Sequence, residues 1–236
     1  MSTNFIFSPH QAASLAVAGV DARFPVRRVY CVGRNYAGHA REMGSDPNRE
    51  PPFFFCKPGD ADAVVAVAPG TTAELPFPPA TSNFHFECEL VVAIGKGGAN
   101  IAVADAASHI FGYAVGFDMT RRDLQGRMKD AGRPWEIGKA FDFSAPVGQL
   151  HRAADVADIA KAAIGLQVDG VTRQEGHVDD MIWSIPETIA NLSTLFTLQP
   201  GDLIFTGTPE GVGAVQRGQT IAGHVDGLTG LSVRYI

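Results

Sequence analysis

Two glutamates lie two positions apart in a largely apolar stretch of the 236-residue chain, residues 84–94, which reads FHFECELVVAI. Side chains on a β-strand alternate between its two faces, so His85, Glu87 and Glu89 are predicted to share one face. Two carboxylates on one side of a mostly apolar strand repel each other and resist burial. A cation, a shared proton or bulk water must therefore compensate their charge.

Two interpretations of these carboxylates are open at this point. In the first, the stretch is an edge strand with a solvated acidic face, because glutamate is usually exposed. In the second, the carboxylates bind a hard cation, since an oxygen-only ligand set with open positions suits Mg²⁺, Mn²⁺ or Ca²⁺ better than zinc.

Other polar residues stand where chemistry is often found. His39 and Glu42 are three positions apart on a predicted short helix and are therefore neighbours. Asp118 follows a predicted strand, at a strand-to-helix junction of the kind that often displays active-site groups. Lys139 lies in an apolar setting, where a lone ammonium group needs an anion. The first two have ordinary alternatives, because His39 and Glu42 could be a surface polar pair and Asp118 a simple turn residue.

The elements that must position these groups are many short strands and a few helices. Predicted strands cover residues 28–32, 53–56, 64–67, 84–94, 110–117, 164–168, 171–174 and 203–205, with two more after residue 213. Predicted helices cover residues 36–43, 103–109 and 186–196, and a fourth begins at Thr120, where Asp123 three positions later resembles a capping box. This pattern predicts a β-rich α+β fold rather than alternating βα units.

Three segments are predicted to lack regular structure for most of their length. Residues 1–25 form an irregular lead-in with a short strand near residues 15–17. Residues 45–52 are polar and proline-rich, and they form a loop long enough to act as a lid. Residues 69–82 form a second proline-rich loop.

The composition argues against several classes of partner. The net charge is −6 and the basic residues are scattered, so we expect no binding to nucleic acid or to an anionic membrane. No apolar run approaches 18 residues, and the first residues lack the basic region, apolar core and cleavage site of a signal peptide, so we expect a cytoplasmic protein. Cys31, Cys56 and Cys88 lie in apolar strand-like contexts, so we predict buried packing residues in a reducing compartment.

Four stretches occur together in a specific order: residues 30–44 (YCVGRNYAGHAREMG), 87–90 (ECEL), 116–120 (GFDMT) and 206–213 (TGTPEGVG). In this combination they resemble the fumarylacetoacetate hydrolase superfamily, specifically its short single-domain branch of fumarylpyruvate and acylpyruvate hydrolases. The resemblance spans roughly residues 25–236. It implies a mixed β-roll with a few peripheral helices, one catalytic domain over residues 26–236 and a homodimer.

The resemblance also implies roles for the polar residues. Glu87, Glu89 and Asp118 would bind a Mg²⁺ or Mn²⁺ ion, with water and substrate completing its coordination. His39 and Glu42 would form the catalytic pair, in which the carboxylate holds the imidazole as a base.

Further positions match residues that contact substrate in the family. Lys139 and Gln125 would contact substrate oxygens, and Thr208 would help to hold the carboxylate end. Candidates for anion contacts or for bracing the acidic groups are Arg34, Lys57 and Arg122. His85 is not a ligand in the family pattern, so a hydrogen-bonding or core role is expected for it.

The implied substrate is a 2,4-dioxo acid. Its carboxylate and keto oxygens can chelate the metal, and water activated by His39 would attack the distal carbonyl, releasing pyruvate. Fumarylpyruvate, from the gentisate route of aromatic catabolism, is the expected substrate. The alternative is an oxaloacetate decarboxylase or keto-enol tautomerase, because these reactions use the same metal site. A metal-binding protein without activity is a third possibility, which the presence of a water-activating pair disfavours.

Overall fold

The computed structural model describes residues 4–44 and 50–236 of the chain. Strands β1 to β18 run, in chain order, over Ser14–Val17, Val20–Pro25, Val29–Gly33, Phe53–Lys57, Val64–Ala66, Thr72–Leu75, Phe84–Phe86, Cys88–Ile94, Ile110–Phe117, Thr120–Arg121, Ala145–Val147, His151–Arg152, Ala163–Val168, Val171–His177, Leu203–Phe205, Gly213–Ala214, Thr220–Val225 and Leu231–Tyr235. Most of the predicted lid loop, residues 45–49, lies outside the described residues.

The helices are short. Helices α1 to α4 span Ala37–Glu42, Arg122–Asp130, Glu136–Lys139 and Ile185–Leu195, and 3-10 helices cover Val103–His109, Ala153–Asp155, Ile159–Lys161 and Val178–Asp180. Within the described ranges, no helix combines the length and the apolar character needed to cross a membrane.

The strands form a mixed β-roll. An eight-stranded sheet has the order β4-β3-β15-β8-β9-β11-β5, with β12 paired to β9, and a five-stranded sheet has the order β14-β13-β17-β18-β6. A small sheet, β10-β7-β16, and the hairpin β1-β2 complete the described sheets. Most neighbours are antiparallel, while β3/β15, β5/β11 and β6/β18 are parallel. The predicted β-rich fold with a few helices is confirmed.

Strand β8 lies inside the largest sheet, and its apolar run is buried on both faces. Leu90 and Val92 belong to a hydrophobic core cluster that also contains side chains of the five-stranded sheet. Val91 and Ala93 point to the opposite side, into a second cluster that contains Leu15 of β1. A strand covered on both faces needs apolar residues at successive positions, which explains the unbroken run from residue 90 onward.

The acidic stretch is not the single strand that was predicted over residues 84–94. Its first half, β7, pairs with β10 and β16, whereas its second half, β8, pairs with β9 and β15. The chain passes from one sheet to another at Glu87, because each sheet takes one half of the stretch. The solvated edge strand is also excluded, since Glu87 and Glu89 are only 4% and 2% exposed.

Two segments predicted to be irregular contain strands. Residues 14–25 form the β1-β2 hairpin, although only a short strand near residues 15–17 was expected. This hairpin buries Leu15, Val17 and Phe24 against the second cluster. The predicted loop 69–82 contains β6, which pairs in parallel with β18. Both strands are held by partners distant in sequence, which local patterns do not reveal.

The predicted helix over residues 186–196 is confirmed, and the predicted strands 164–168 and 171–174 pair as the hairpin β13-β14. Helix α4 begins with a capping box, in which the Glu187 carboxylate accepts hydrogen bonds from the Ser184 N–H (3.0 Å) and hydroxyl (2.7 Å). The β13-β14 turn is made by Asp169 and Gly170, which have φ angles of 48° and 80°. Positive φ at both central residues is the conformation that Asp-Gly favours between twisted strands.

The predicted capping of α2 by Thr120 is wrong. Thr120 lies in β10, opposite His85, and its hydroxyl donates to the carbonyl of Asp118 (3.1 Å). The carboxylate of Asp123 instead accepts a hydrogen bond from the Thr81 hydroxyl (2.6 Å). Strand pairing takes Thr120 out of the cap position, so α2 starts at residue 122.

The cysteine prediction is correct for two residues and wrong for one. Cys31 and Cys88 are buried and Cys56 is exposed. Strand β4 forms an end of the eight-stranded sheet, and alternation along it turns Lys57 inward and Cys56 outward.

Candidate metal centre and active site

Three carboxylates converge at the junction of the small and the large sheet. Glu87 lies between β7 and β8, Glu89 lies within β8, and Asp118 follows β9. The register of β8 and β9 pairs Cys88 with Phe117, so Glu87 and Asp118 lie side by side, and the Asp118 N–H donates to the Glu87 carbonyl (2.9 Å). One carboxylate oxygen from each acid lies within 4.8 Å of the others. We refer to Glu87, Glu89 and Asp118 as the acidic triad.

Buried cations compensate two members of the acidic triad. The Lys139 Nζ lies 2.8 Å from Oε2 of Glu87 and 2.7 Å from Oδ2 of Asp118, and the Lys57 Nζ lies 2.8 Å from Oδ1 of Asp118. Arg122 donates to Oε1 of Glu87. Burial alone would raise the pKa of Glu87, but the charges of Lys139 and Arg122 outweigh it and hold that pKa well below its usual range. The expectation that Lys139 needs an anion is confirmed.

Glu89 is the least compensated acid of the triad. Its Oε2 accepts a hydrogen bond from the Gly207 N–H (2.8 Å), and no lysine or arginine of residues 4–44 and 50–236 lies within ion-pair distance of it. Burial raises the pKa of Glu89 well above its ordinary range, and the charges of Asp118 and Glu87 raise it further. A divalent cation among these oxygens would supply the missing charge. The triad therefore fits Mg²⁺ or Mn²⁺.

His39 and Glu42 are brought together on α1. The His39 Nδ1 lies 3.4 Å from Oε2 of Glu42, and both oxygens of Glu42 accept from the Gly211 N–H at 3.2 Å. Burial lowers the pKa of His39, and the charge of Arg122 lowers it further. Glu87 and Glu42 raise this pKa, but not enough to offset the lowering. The imidazole is therefore neutral near pH 7. A proton on Nδ1, shared with Glu42, leaves the lone pair of Nε2 free to accept another.

The acidic triad and His39 open into one cleft, whose empty space, including its mouth, is about 510 Å³. The predicted site residues that line it are Arg34, His39, Glu87, Glu89, Asp118, Arg122, Gln125, Lys139 and Thr208. Glu42 lies behind His39. Gln125 accepts a hydrogen bond from Arg122 of the same helix (2.6 Å), and the contact of Arg122 with Glu87 ties α2 to the acidic groups. Of the three basic candidates, Lys57 and Arg122 contact the triad and Arg34 does not.

His85 lies outside the acidic triad. Its Nε2 is 2.8 Å from Oδ1 of Asn83, and its Nδ1 accepts from Nε of Arg122 (3.4 Å). Burial lowers the pKa of His85 to about 4, and Arg122 contributes to the shift. A neutral His85 thus holds Arg122 toward Glu87, which agrees with the expected hydrogen-bonding role.

Asn35 and Gly207 shape the loop around Glu89. Both lie in the motifs quoted above, but no role was predicted for either residue. The Asn35 amide donates to the carbonyl oxygens of Thr206 (2.8 Å) and Trp183 (3.0 Å). Gly207 has a φ of +99°, and a Cβ there would lie 2.8 Å from the Cβ of Asn35. Glycine is therefore required where the backbone turns its N–H toward Glu89.

Gln174 is a further residue whose role in the site was not predicted from the sequence. It is 1% exposed, and its Oε1 accepts from the Cys88 N–H (3.0 Å) at the start of β8. Its Nε2 donates to the hydroxyl of Thr208 and to the carbonyl of Pro209, both at 2.8 Å. The Thr208 hydroxyl in turn donates to the Cys88 carbonyl (2.7 Å). The side-chain amide of Gln174 thus connects the glycine-rich loop, residues 206–213, to the strand that carries Glu89 through hydrogen bonds.

Replacement of Gln174 by leucine is expected to lower the free energy of unfolding by about 1–3 kcal/mol, because it leaves the buried Cys88 N–H and Pro209 carbonyl without partners. Urea denaturation measures this loss. Gln167→Leu, on the paired strand β13, is the matched control because Gln167 is exposed. Equal losses in the two variants would contradict the fastening role.

The fold and the site together define a class: β-roll enzymes with a buried carboxylate triad for a hard metal ion and a histidine-glutamate pair beside it. The model of the fumarylacetoacetate (FAA) hydrolase C-terminal family matches residues 28–234. The chain belongs to the fumarylacetoacetate hydrolase family, as the sequence motifs predicted.

Named relatives include two kinds of enzyme. The crystal structure of fumarylpyruvate hydrolase from Pseudomonas aeruginosa, in complex with Mn²⁺ and pyruvate, is 62% identical and has a TM-score of 0.96, with 99% of each chain covered. Fumarylpyruvate hydrolase from a Ralstonia species is 45% identical over 188 residues, which are 80% of this chain and 94% of the relative. The mitochondrial oxaloacetate tautomerase FAHD1 of Arabidopsis thaliana is 42% identical over 205 residues, 87% of each chain. The predicted mixed β-roll is confirmed by these neighbours.

Proposed function

We propose that this protein is a divalent-metal-dependent hydrolase that cleaves the carbon–carbon bond of a 2,4-dioxo acid, with fumarylpyruvate as substrate and fumarate and pyruvate as products. The observation that carries the proposal is that the His39–Glu42 pair and the acidic triad line or border one cleft. Hydrolysis needs both a metal site and a base for water. The relatives named fumarylpyruvate hydrolase support the choice of substrate.

Glu87, Glu89 and Asp118 would hold Mg²⁺ or Mn²⁺. When bound, the ion supplies positive charge beside the carboxylate and keto oxygens of the substrate. Lys139 and Arg122 already contact the triad and add further positive charge on the pyruvate side of the cleft. Negative charge that develops on the pyruvate half during cleavage is thereby stabilised.

His39 is the proposed base. Its Nε2 takes a proton from the water that attacks the distal carbonyl, while Glu42 stabilises the imidazolium through Nδ1. The bond between the distal carbonyl carbon and its neighbouring methylene carbon then breaks, and its electron pair goes to the methylene carbon, which takes up the proton from the His39 imidazolium to give pyruvate. Gln125 and Thr208 line the cleft and are proposed to orient the substrate oxygens. Water oxygen ends in the fumarate carboxylate, so the atoms balance.

Steady-state turnover of fumarylpyruvate, acetylpyruvate and oxaloacetate by one preparation tests the proposal, with Mg²⁺, with Mn²⁺ and after EDTA. The expected result is metal-dependent release of pyruvate that is fastest from fumarylpyruvate. Turnover of oxaloacetate with no hydrolysis of either acylpyruvate would instead identify an oxaloacetate decarboxylase or tautomerase. That second candidate is favoured by the relative that is named oxaloacetate tautomerase, and it needs no attacking water.

The acid limb of the pH profile of kcat/KM should lie below pH 6.5, the ordinary pKa of histidine. His39 can act as a base only when its imidazole is neutral. Because burial lowers the pKa of His39, activity should rise with pH through that lowered pKa. Since the Glu42 carboxylate raises this pKa, Glu42→Gln should move the limb to still lower pH and reduce kcat about 10- to 100-fold. Glu175→Gln, at an exposed position of β14, serves as control. A limb that shifts to higher pH would contradict the pairing.

The family resemblance supports further proposals about context. We extend the proposed function to a homodimer in the cytoplasm that acts in gentisate breakdown, with residues 26–236 as one catalytic domain. Size-exclusion chromatography with light scattering tests the dimer, and a monomer would overturn that part of the proposal.

A further inference from the structure

We infer that Arg34 and Lys129 form a distal subsite that binds a second carboxylate on the acyl half of the substrate, so that the enzyme prefers dicarboxylic over neutral acylpyruvates. The inference rests on the proposed function and deepens it by assigning the end of the substrate that faces away from the acidic triad. It stands on a row of aromatic contacts, on two cations that have no carboxylate partner among residues 4–44 and 50–236, and on the spacing of residues along α2.

A row of aromatic side chains leads from the acidic triad outward to Arg34. The Lys139 Nζ, which contacts the triad, lies 5.1 Å from the ring centre of Phe55. Phe55 and Trp135 are 5.8 Å apart, Trp135 and Phe53 are 5.3 Å apart, and the guanidinium of Arg34 lies 5.4 Å from the ring centre of Phe53. We call Phe53, Phe55 and Trp135 the aromatic wall. A flat, conjugated acyl chain is the kind of group that packs well against such rings.

Arg34 lies at the outer end of the aromatic wall. It follows β3 in a left-handed backbone conformation, with φ 58°, which is uncommon for a residue that is not glycine. Such conformations cost free energy and concentrate at functional positions. Arg34 is one of the residues that line the cleft, and in the part of the chain that the structure describes it has no carboxylate within ion-pair distance. Arg34 is therefore available to a ligand anion.

Lys129 extends a stripe of residues along α2. Arg122, Gln125 and Lys129 follow the three-and-four spacing that places side chains on one face of a helix, and all three line the cleft. Arg122 contacts Glu87 and Gln125 contacts Arg122, so this stripe begins at the metal centre. Lys129 lies at its exposed outer end, and among the described residues no carboxylate pairs with it. A second free cation thus faces the mouth of the cleft.

The spacing along α2 is compatible with the length of a dicarboxylic acylpyruvate. A rise of about 1.5 Å per residue places the backbone of Lys129 about 10 Å beyond that of Arg122. Fumarylpyruvate separates its two carboxylate carbons by six carbon–carbon bonds in a zigzag, which span about 7–8 Å when each bond is roughly 1.5 Å long. With one carboxylate beside the acidic triad, the other would end about 3 Å short of the backbone level of Lys129. The flexible four-carbon stem of the lysine side chain can cover that difference. Acetylpyruvate ends at a methyl group and would leave both cations without a partner.

The test is the ratio of kcat/KM for fumarylpyruvate to kcat/KM for acetylpyruvate, measured with saturating Mg²⁺. Lys129→Gln and Arg34→Gln should each lower this ratio about 10-fold, because each removes one charge-assisted contact that only the longer substrate makes. The double variant should lower it further than either single variant, but the two effects need not multiply because both cations contact one carboxylate. Lys129→Arg and Arg34→Lys should restore most of the preference. Because Lys129 is exposed, its part of the preference should also weaken as salt is added.

Arg127→Gln is the matched control. Arg127 is exposed on the same helix, lies outside the cleft lining and carries the same charge, so its loss should leave the ratio unchanged. A ratio that Lys129→Gln and Arg34→Gln leave intact, or an equal fall with both substrates, would overturn the subsite. Failure of the subsite and failure of the proposed function are distinguishable. If the wild-type protein hydrolyses either acylpyruvate, the proposed function holds even when the variants leave the ratio unchanged.

Discussion

Replacing Glu89 by glutamine is expected to reduce hydrolysis by about 1,000-fold or more, because it removes one of three anionic ligands from the proposed metal centre. Glutamine has the same shape, and its amide oxygen can still accept the hydrogen bond from the Gly207 N–H. The buried acidic triad also loses a charge that burial and its neighbours disfavour. The metal-free variant should therefore be at least as stable as the wild-type protein, although it is inactive.

Thermal unfolding with and without Mn²⁺ separates the metal site from activity. At a concentration about 100 times the dissociation constant, a bound ion adds about 2.7 kcal/mol to the free energy of unfolding. The wild-type protein should show this stabilisation, and Glu89→Gln should lose most of it. The control is Glu175→Gln, which removes an exposed carboxylate from β14. Equal stabilisation of both variants by Mn²⁺ would count against Glu89 as a ligand.

Replacing His39 by alanine is expected to lower kcat for fumarylpyruvate hydrolysis by about 100- to 10,000-fold, the usual contribution of a general base. Any turnover of oxaloacetate should fall far less, because decarboxylation and tautomerisation need no attacking water. Metal binding should persist, since His39 is not part of the acidic triad. Steady-state kinetics with both substrates and a Mn²⁺ melting shift measure the three quantities.

His10→Ala provides the comparison for His39→Ala, because His10 is exposed and distant in sequence from the cleft residues. It should leave both activities near the wild-type values. If His39→Ala weakened hydrolysis and oxaloacetate turnover by the same factor, the assignment of His39 as the base for water would be wrong, and a role in holding the substrate would replace it.

Much of the site was predictable because its residues lie in compact motifs. The alternation in residues 84–94 placed Glu87 and Glu89 on one side, and the end of a predicted strand marked Asp118. His39 and Glu42 share a helix turn, so their contact follows from spacing alone. The roles implied for Gln125 and Thr208 came from the resemblance rather than from spacing, and they stay proposals.

Other parts of the site depend on contacts that no local pattern encodes. Gln174 lies on β14, more than 80 residues from Cys88, and only the packed structure shows their hydrogen bond. The prediction failed for the same reason at the β1-β2 hairpin, where burial against the second cluster decides the structure. At Glu87 the hydrophobic pattern continues while the pairing partners change, so periodicity could not reveal the break between β7 and β8.

The passage of the chain from one sheet to another at Glu87 bears on how the protein folds. One ligand of the triad lies at that junction, a second lies in β8, a third follows β9, and the compensating Lys57 and Lys139 come from β4 and α3. The triad forms only when these segments have docked. We therefore expect a bound metal ion to slow unfolding rather than to speed folding, because contacts absent from the folding transition state act mainly on the unfolding rate.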